Sequence, residues 1–442
     1  MPISAPAPIL TGAGPYHDGI HSPSWTVTVY YYAVAGVFIL DRSLLDGTDV
    51  LSGTWVAQQV LTTDVLEAHV RRGRARENLS VDPGELTLVL DNVAGWYGPD
   101  ATMGPWISPY DNRTLLRAGV YIELAGTWAS TTYPIYRGYL SDLVPNYDTE
   151  VPTVTLVAID ALAQYFARTY PAISPPAYYG ETGSARAARV ANAVGFGLLP
   201  LETFNIGSVS RPLLADAGGG GTGTGGTGKD VVSDIAAGEG GRYYVDRLGA
   251  FTVLPHSDVY TRTQKLYLAD NDVTADIQID ALTIDPSLRS YANQSRVQRS
   301  SLVDITASDA TSVLTMPTVE LVVPTALASD DDAAQIATYY ATRRSQPTPR
   351  VASVAFEALG NVGNYAALLS LELGDRFKVT QTYDVSRTWI CATEGILHDI
   401  LPDSWQVTFN AAPVDIVSAF GGQSIFTLDT SLLDGMDVLG AF

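Results

Sequence analysis

Short runs of β-branched and aromatic residues, each closed by a turn signal, recur along most of this 442-residue chain and point to a β-rich fold. Residues 26–32, 85–90, 120–124, 136–140 and 154–158 are of this kind. Asp82-Pro83-Gly84 and Gly98-Pro99-Asp100 mark turns between them. Short strands at this spacing predict a barrel or sandwich over residues 25–160. Ahead of it, residues 1–24 carry five prolines and little periodicity, the pattern of an extended arm.

The pattern changes after residue 160. Asp160 precedes an apolar-periodic run, residues 161–166, which it is placed to cap. Ser184 to Val194 and Asp230 to Ala237 read as helices, and Gly218 to Gly228 as a surface loop with no core-forming residue. Residues 161–241 are thus expected to form a helical or mixed α/β insert. Strand character returns in a hairpin, Arg242 to Val253, turning near Arg247 to Gly249. A second β region then extends to residue 413. It contains one helix, Asp331 to Arg344, with Ala333, Ile336, Ala337 and Tyr340 on one face and Pro347 and Pro349 beyond its end. Residues 414–442 form a separate tail. The fold class expected is mainly β with a small α/β insert.

Composition narrows the function. The formal net charge is −21, from 47 acidic and 26 basic residues, and such a surface repels a phosphate backbone. Repulsion would suit a channel crossed by DNA; solubility explains the same charge. Charged residues make up 17% of the chain, low for a soluble monomer and in keeping with surfaces buried against partners. The single cysteine, Cys391, rules out an intrachain disulfide and reads as a small core residue. The first residues lack a signal-peptide pattern, and no apolar run reaches the roughly 18 residues of a membrane span. Synthesis and folding in a cytoplasm are expected.

No constellation argues for catalysis. Gly223 to Lys229 matches the first seven positions of a phosphate-binding loop, but Asp230 stands where Ser or Thr must hold Mg²⁺. Residues 212–217 make a poor preceding strand. Asp46, Asp49, Asp434 and Asp437 lack the alternating ligands of a Ca²⁺ loop, and Asp330 to Asp332 read as a helix start. His17 and His21 have no third ligand beside them, and His398 reads as a half-buried polar residue. The expectation is no enzyme, no cofactor and no metal.

One internal repeat stands apart. Residues 38–51 recur as 426–439 with eleven of fourteen positions identical. One reading is a docking segment, two apolar anchors around an Asp-Gly turn, with Phe38, Leu40, Leu44, Leu45, Val50 and Leu51 matched by Phe426, Leu428, Leu432, Leu433, Val438 and Leu439. The other is a pair of ordinary hairpins packed within the chain. Both stay open.

The stretch Glu85 to Pro99, a strand ending in Asp91-Asn92 and the aromatics Trp96-Tyr97, resembles a motif of minor tail proteins of actinobacterial siphophages. Leu116 to Ile122, Tyr136 to Leu140 and Val154 to Leu162 continue the resemblance, and Leu373 to Val379, Thr393 to Ile400 and Trp405 to Asn410 match the family's closing strands. The similarity spans roughly residues 26–413 as weak motifs in order. It implies a hub fold shared with contractile-phage baseplates: two β-barrel-like hub domains, 25–160 and 242–413, around the insert. It also implies a homotrimer at the virion tail tip. Such a hub closes the tail tube, contacts the distal tail protein, the tape measure protein and a central fibre or spike, and opens for DNA in transit. The host envelope would be reached through other tail proteins. A distal tail ring or receptor-binding protein, and a tail-associated cell-wall hydrolase, are the alternatives.

Overall fold

The computed structural model describes residues 22–33, 54–75, 81–107, 113–147, 151–197, 202–207, 209–216, 226–285, 291–299, 301–345, 350–382 and 386–414. Among the described residues the first part of the chain is strand apart from one 3-10 turn, Thr62–Asp64: β1 (Ser24–Ala33), β2 (Thr54–Val60), β3 (Val65–Gly73), β4 (Glu85–Asp91), β5 (Tyr121–Trp128), β6 (Thr131–Asn146) and β7 (Thr153–Ile159). A single π-helical turn, Leu162–Phe166, comes next, then α1 (Gly183–Val194), β8 (Phe204–Ile206), α2 (Gly228–Gly238), β9 (Arg242–Val245), β10 (Phe251–Leu254) and α3 (His256–Thr261). The rest comprises β11 (Gln264–Ala269), β12 (Ile277–Gln278), β13 (Ala281–Asp285), β14 (Gln294–Arg299), β15 (Ile305–Ser308), α4 (Ala310–Thr315), β16 (Glu320–Thr325) and α5 (Asp330–Arg343). It closes with β17 (Arg350–Glu357), α6 (Tyr365–Ser370), β18 (Arg376–Gln381), β19 (Arg387–Leu401) and β20 (Ser404–Pro413). The fold is mainly β with few helices, as expected.

Fourteen strands form one curled sheet in the order β12-β11-β18-β19-β3-β4-β7-β6-β5-β1-β2, with β20, β17 and β13 branching from β19. Alternation dictates its core. In β4, Leu86, Leu88 and Leu90 are buried while their neighbours are half-exposed; they face Ala158, Leu156 and Val154 of antiparallel β7, which alternates in step. Central β5 is buried at every position from Tyr121 to Gly126, as a strand covered on both faces must be.

Strand β19 joins the early and late strands. One of its edges pairs first with β18 through residues 387–392 and then with β3 through residues 395–400; its other edge pairs with β20. Where the edge changes partner, Gly395 lies opposite Gly73. Gly73 has φ +82°, and a Cβ there would meet the Glu394 carbonyl oxygen at 2.3 Å. A Cβ on Gly395 would meet the Arg74 carbonyl oxygen at 2.6 Å. Only glycine lets the backbones come this close.

Two three-stranded sheets stand beside the large one. The first, β8-β10-β9, is covered by α1 and α2 and takes the hairpin Arg242 to Val253 together with the insert. The second, β15-β14-β16, is covered by α5. The expected helices are present. Thr227 caps α2 in a reciprocal capping box with Asp230, and Ser329 caps α5, whose buried face includes Ala333, Ile336, Ala337 and Tyr340. The run 161–166 is a π turn rather than an α-helix. Asp160 still satisfies its start, accepting from the Leu162 N–H at 2.8 Å, while its other oxygen accepts from the Gly84 N–H at 2.6 Å. Burial pushes this carboxyl up to about 7. An aromatic chain, Tyr121–Tyr139–Tyr165–Phe196 with ring centres 5.2–5.7 Å apart, carries the packing from the large sheet into the insert.

Candidate functional site

A dense polar arrangement lies where the insert meets the late strands, on the loop Glu372 to Asp375 that leads into β18. Arg72 of β3 donates to Glu372 at 2.7 Å, and the backbone N–H of Arg247, in the β9–β10 turn, reaches the other oxygen of the same carboxylate at 2.8 Å. Asp375 accepts from Arg262 at 2.9 Å and from Lys265 at 2.6 Å, and its carboxylate also receives the Glu372 N–H. Tyr244 donates its hydroxyl to the Leu373 carbonyl at 2.9 Å. A few residues away Glu394 is shared by Arg74 and Arg242, the latter at 3.0 Å.

These carboxylates are almost wholly buried, with side-chain exposures of 15% for Glu372, 5% for Asp375 and 2% for Glu394. A buried charge is tolerated only with such partners. The cations come from β3, β9, the end of α3 and β11, so the cluster ties the insert to both halves of the large sheet. Chemically it is a clamp. Each carboxylate is engaged by cations or N–H donors on named elements, an arrangement that holds parts together. The segment Leu373 to Val379, one of the family-like motifs of the sequence, forms this junction in the fold.

The remaining candidate residues are distributed over the molecule. Phe38, Leu40, Leu44, Leu45, Val50, Leu51, Phe426, Leu428, Leu432, Leu433, Val438 and Leu439 lie outside the described residues, as do His17, His21 and the four aspartates of the repeat. Cys391 is fully buried in β19, and burial pushes its thiol up to about 12. His398 is buried rather than half-buried. Its Nδ1 accepts from Trp405 Nε1 at 3.2 Å, which leaves the proton on Nε2, and burial lowers its pKa to about 3. At the phosphate-loop-like segment, the Asp230 carboxylate accepts from the Thr227 N–H at 2.8 Å, so an acid occupies the helix start where a phosphate would sit. Among the described residues no group of three or more His, Cys, Asp or Glu is placed to hold a metal ion, and no helix is long and apolar enough to cross a membrane. The carboxylate clamp has no sequence signature, because its partners are scattered over some three hundred positions.

No protein-family model matches the chain, and no curated protein matches it in sequence. Solved structures do match. The 43 kDa tail protein of prophage MuSo2 from Shewanella oneidensis superposes with a TM-score of 0.53 at 12% identity, covering 88% of this chain and 98% of that one. A tail protein from Neisseria meningitidis MC58 gives 0.54 at 11% identity, covering 89% and 97%. At such identity the likeness concerns the fold, and it runs through nearly the whole of both molecules. The chain has the fold of phage tail proteins.

Proposed function

We propose that this chain is a structural hub at the tip of a phage tail. Three copies would close the end of the tail tube, with the β regions 25–160 and 242–413 providing the ring and the insert bracing it. The hub joins the tube and the distal tail ring to a central fibre or spike and opens when DNA leaves. The observation that carries this reading is the end-to-end fold likeness to tail proteins. Two features support it further. The clamp ties distant elements through buried ion pairs, as a load-transmitting part requires, and the acidity of the chain keeps passing DNA from adhering. The repeated segments 38–51 and 426–439 are proposed as anchors in neighbouring proteins.

The test is antibody labelling of intact virions, imaged by electron microscopy. Label confined to the tail tip supports the hub. Label along the tube, on the capsid or absent from particles overturns it. Purified rings of six copies would favour the distal-ring alternative.

A further inference from the structure

In a chain of net charge −21, residues 305–329 stand out: Asp309 and Glu320 are their only charged residues. Asp309 caps α4, accepting from the Ser312 N–H at 2.8 Å, and Glu320 accepts from Arg296 at 3.2 Å. The segment nonetheless exposes large apolar side chains. Ser312 is buried and donates its hydroxyl to the Ser345 carbonyl at 2.7 Å, which fixes the roll of α4. Leu314, two residues on and about 200° round the helix axis, is 87% exposed, and Val313 and Val319 are exposed as well. Asn293 ties the two stretches together, accepting the Val319 N–H at 2.9 Å and donating to Ser312 Oγ at 3.3 Å.

A second apolar point lies at the other end of the same small sheet. Strands β14 and β15 run antiparallel from Gln294↔Ser308 to Val297↔Ile305. The helix α4 therefore follows one end of the pair, and the turn at Leu302–Val303 closes the other, roughly 20 Å away over the six residues of β14. Val303 is 81% exposed, and Leu302 is exposed too. Buried Arg299 holds this turn from behind, donating to the Val303 carbonyl and pairing with Asp330 at 2.8 Å. The acid next to the turn, Asp304, shares Arg296 with Glu320, at 3.1 Å. Other exposed apolar side chains sit among acids: Val144, Tyr147 and Val151 belong to a stretch that also holds Asp142, Asp148 and Glu150.

We infer that these two points are the two halves of one contact between copies of this chain, Leu302 and Val303 of one subunit seating on Val313, Leu314 and Val319 of the next. The inference rests on the trimeric hub proposed above and names where its subunits meet. Charge selects the occupant. Copies that each carry a net charge of −21 repel, and they approach closely where the facing surfaces are apolar with few charges. A basic partner would seek the acidic stretches instead. Geometry selects the pairing. A closed ring of three repeats one heterologous contact, so each subunit must offer two different patches, and the two ends of one strand pair supply them.

Cysteine pairing in the full-length protein tests the inference, because the natural thiol, Cys391, is buried. Val303→Cys chains and Leu314→Cys chains are co-expressed under different tags and treated with a short bis-maleimide. Crosslinks joining one variant to the other are expected, and either variant alone should give background only. Leu314→Asp with Val319→Asp, both at exposed positions, should leave the circular dichroism spectrum unchanged. It should move the midpoint of assembly, read by native mass spectrometry of a dilution series, to a protein concentration at least about thirtyfold higher. Should the double variant misfold, the crosslinks decide on their own. The inference fails, and the hub reading stands, if wild-type chains form trimers while the variant assembles equally well, or if crosslinks are absent or join like to like. A wild-type protein that stays a single chain at micromolar concentration overturns the hub reading and the inference with it.

Discussion

Gly73 and Gly395 face each other at the one point where β19 passes from β18 to β3. Gly73→Ala brings both a left-handed backbone penalty and a Cβ at 2.3 Å from the Glu394 oxygen. Gly360, at φ +72° with nothing within 4 Å of its missing Cβ, meets only the first. Chemical denaturation should therefore show Gly73→Ala costing about 3 kcal/mol or more and Gly360→Ala about 1; equal costs would mean that the crossing has room for a side chain. Removing a carboxylate from the clamp strands its cations, so Asp375→Ala should cost about 3–5 kcal/mol. His398 sets a pH effect. Its folded pKa, about 3, lies below the ordinary 6.5, so its contribution to stability is whole above pH 6.5 and is lost as pH falls toward 3. His398→Gln, which keeps an acceptor for Trp405, should flatten the fall in melting temperature between pH 6.5 and 4; an unchanged slope would contradict the buried neutral imidazole. None of these residues announced its role in the sequence. A glycine, an acid and a histidine in strand-like runs acquire their meaning from partners such as Glu394, Arg262 and Trp405, which only folding brings near.

Elements whose cause is local were legible. The strand β4 comes from alternation of Leu with Glu85 and Thr87 that breaks only at Val89, β7 from its β-branched content, and α5 from its apolar face, its acidic first turn and the prolines beyond. The union of β3 with β19 was not legible, because its ladder, Ala68↔Ile400 to Gly73↔Gly395, spans more than three hundred residues and no local pattern encodes a partner that distant. The π turn after Asp160 read as an ordinary helix because five residues are too few for a period to declare itself. The repeat, plain in sequence, falls outside the described residues, and its role rests on experiment. Deleting residues 416–442 should reduce the yield of complete tails counted by electron microscopy; unchanged tails and fibres would end the anchor proposal.

At the scale of the molecule, one curled sheet gathers strands from both ends of the chain, and the insert is bolted to it by aromatic stacking on one side and buried ion pairs on the other. Ordered weak motifs foretold a mainly β body with a small mixed insert, though not the single sheet that joins both ends of the chain, and the fold likeness to tail proteins from Shewanella and Neisseria agrees with the β-rich body. The proposed hub role calls for a body that keeps its shape under load and assembles in several copies. The mass of the purified full-length protein, read by native mass spectrometry at ordinary ionic strength, tests that most directly. The account predicts a particle of three chains; a stable single chain at micromolar concentration would contradict it.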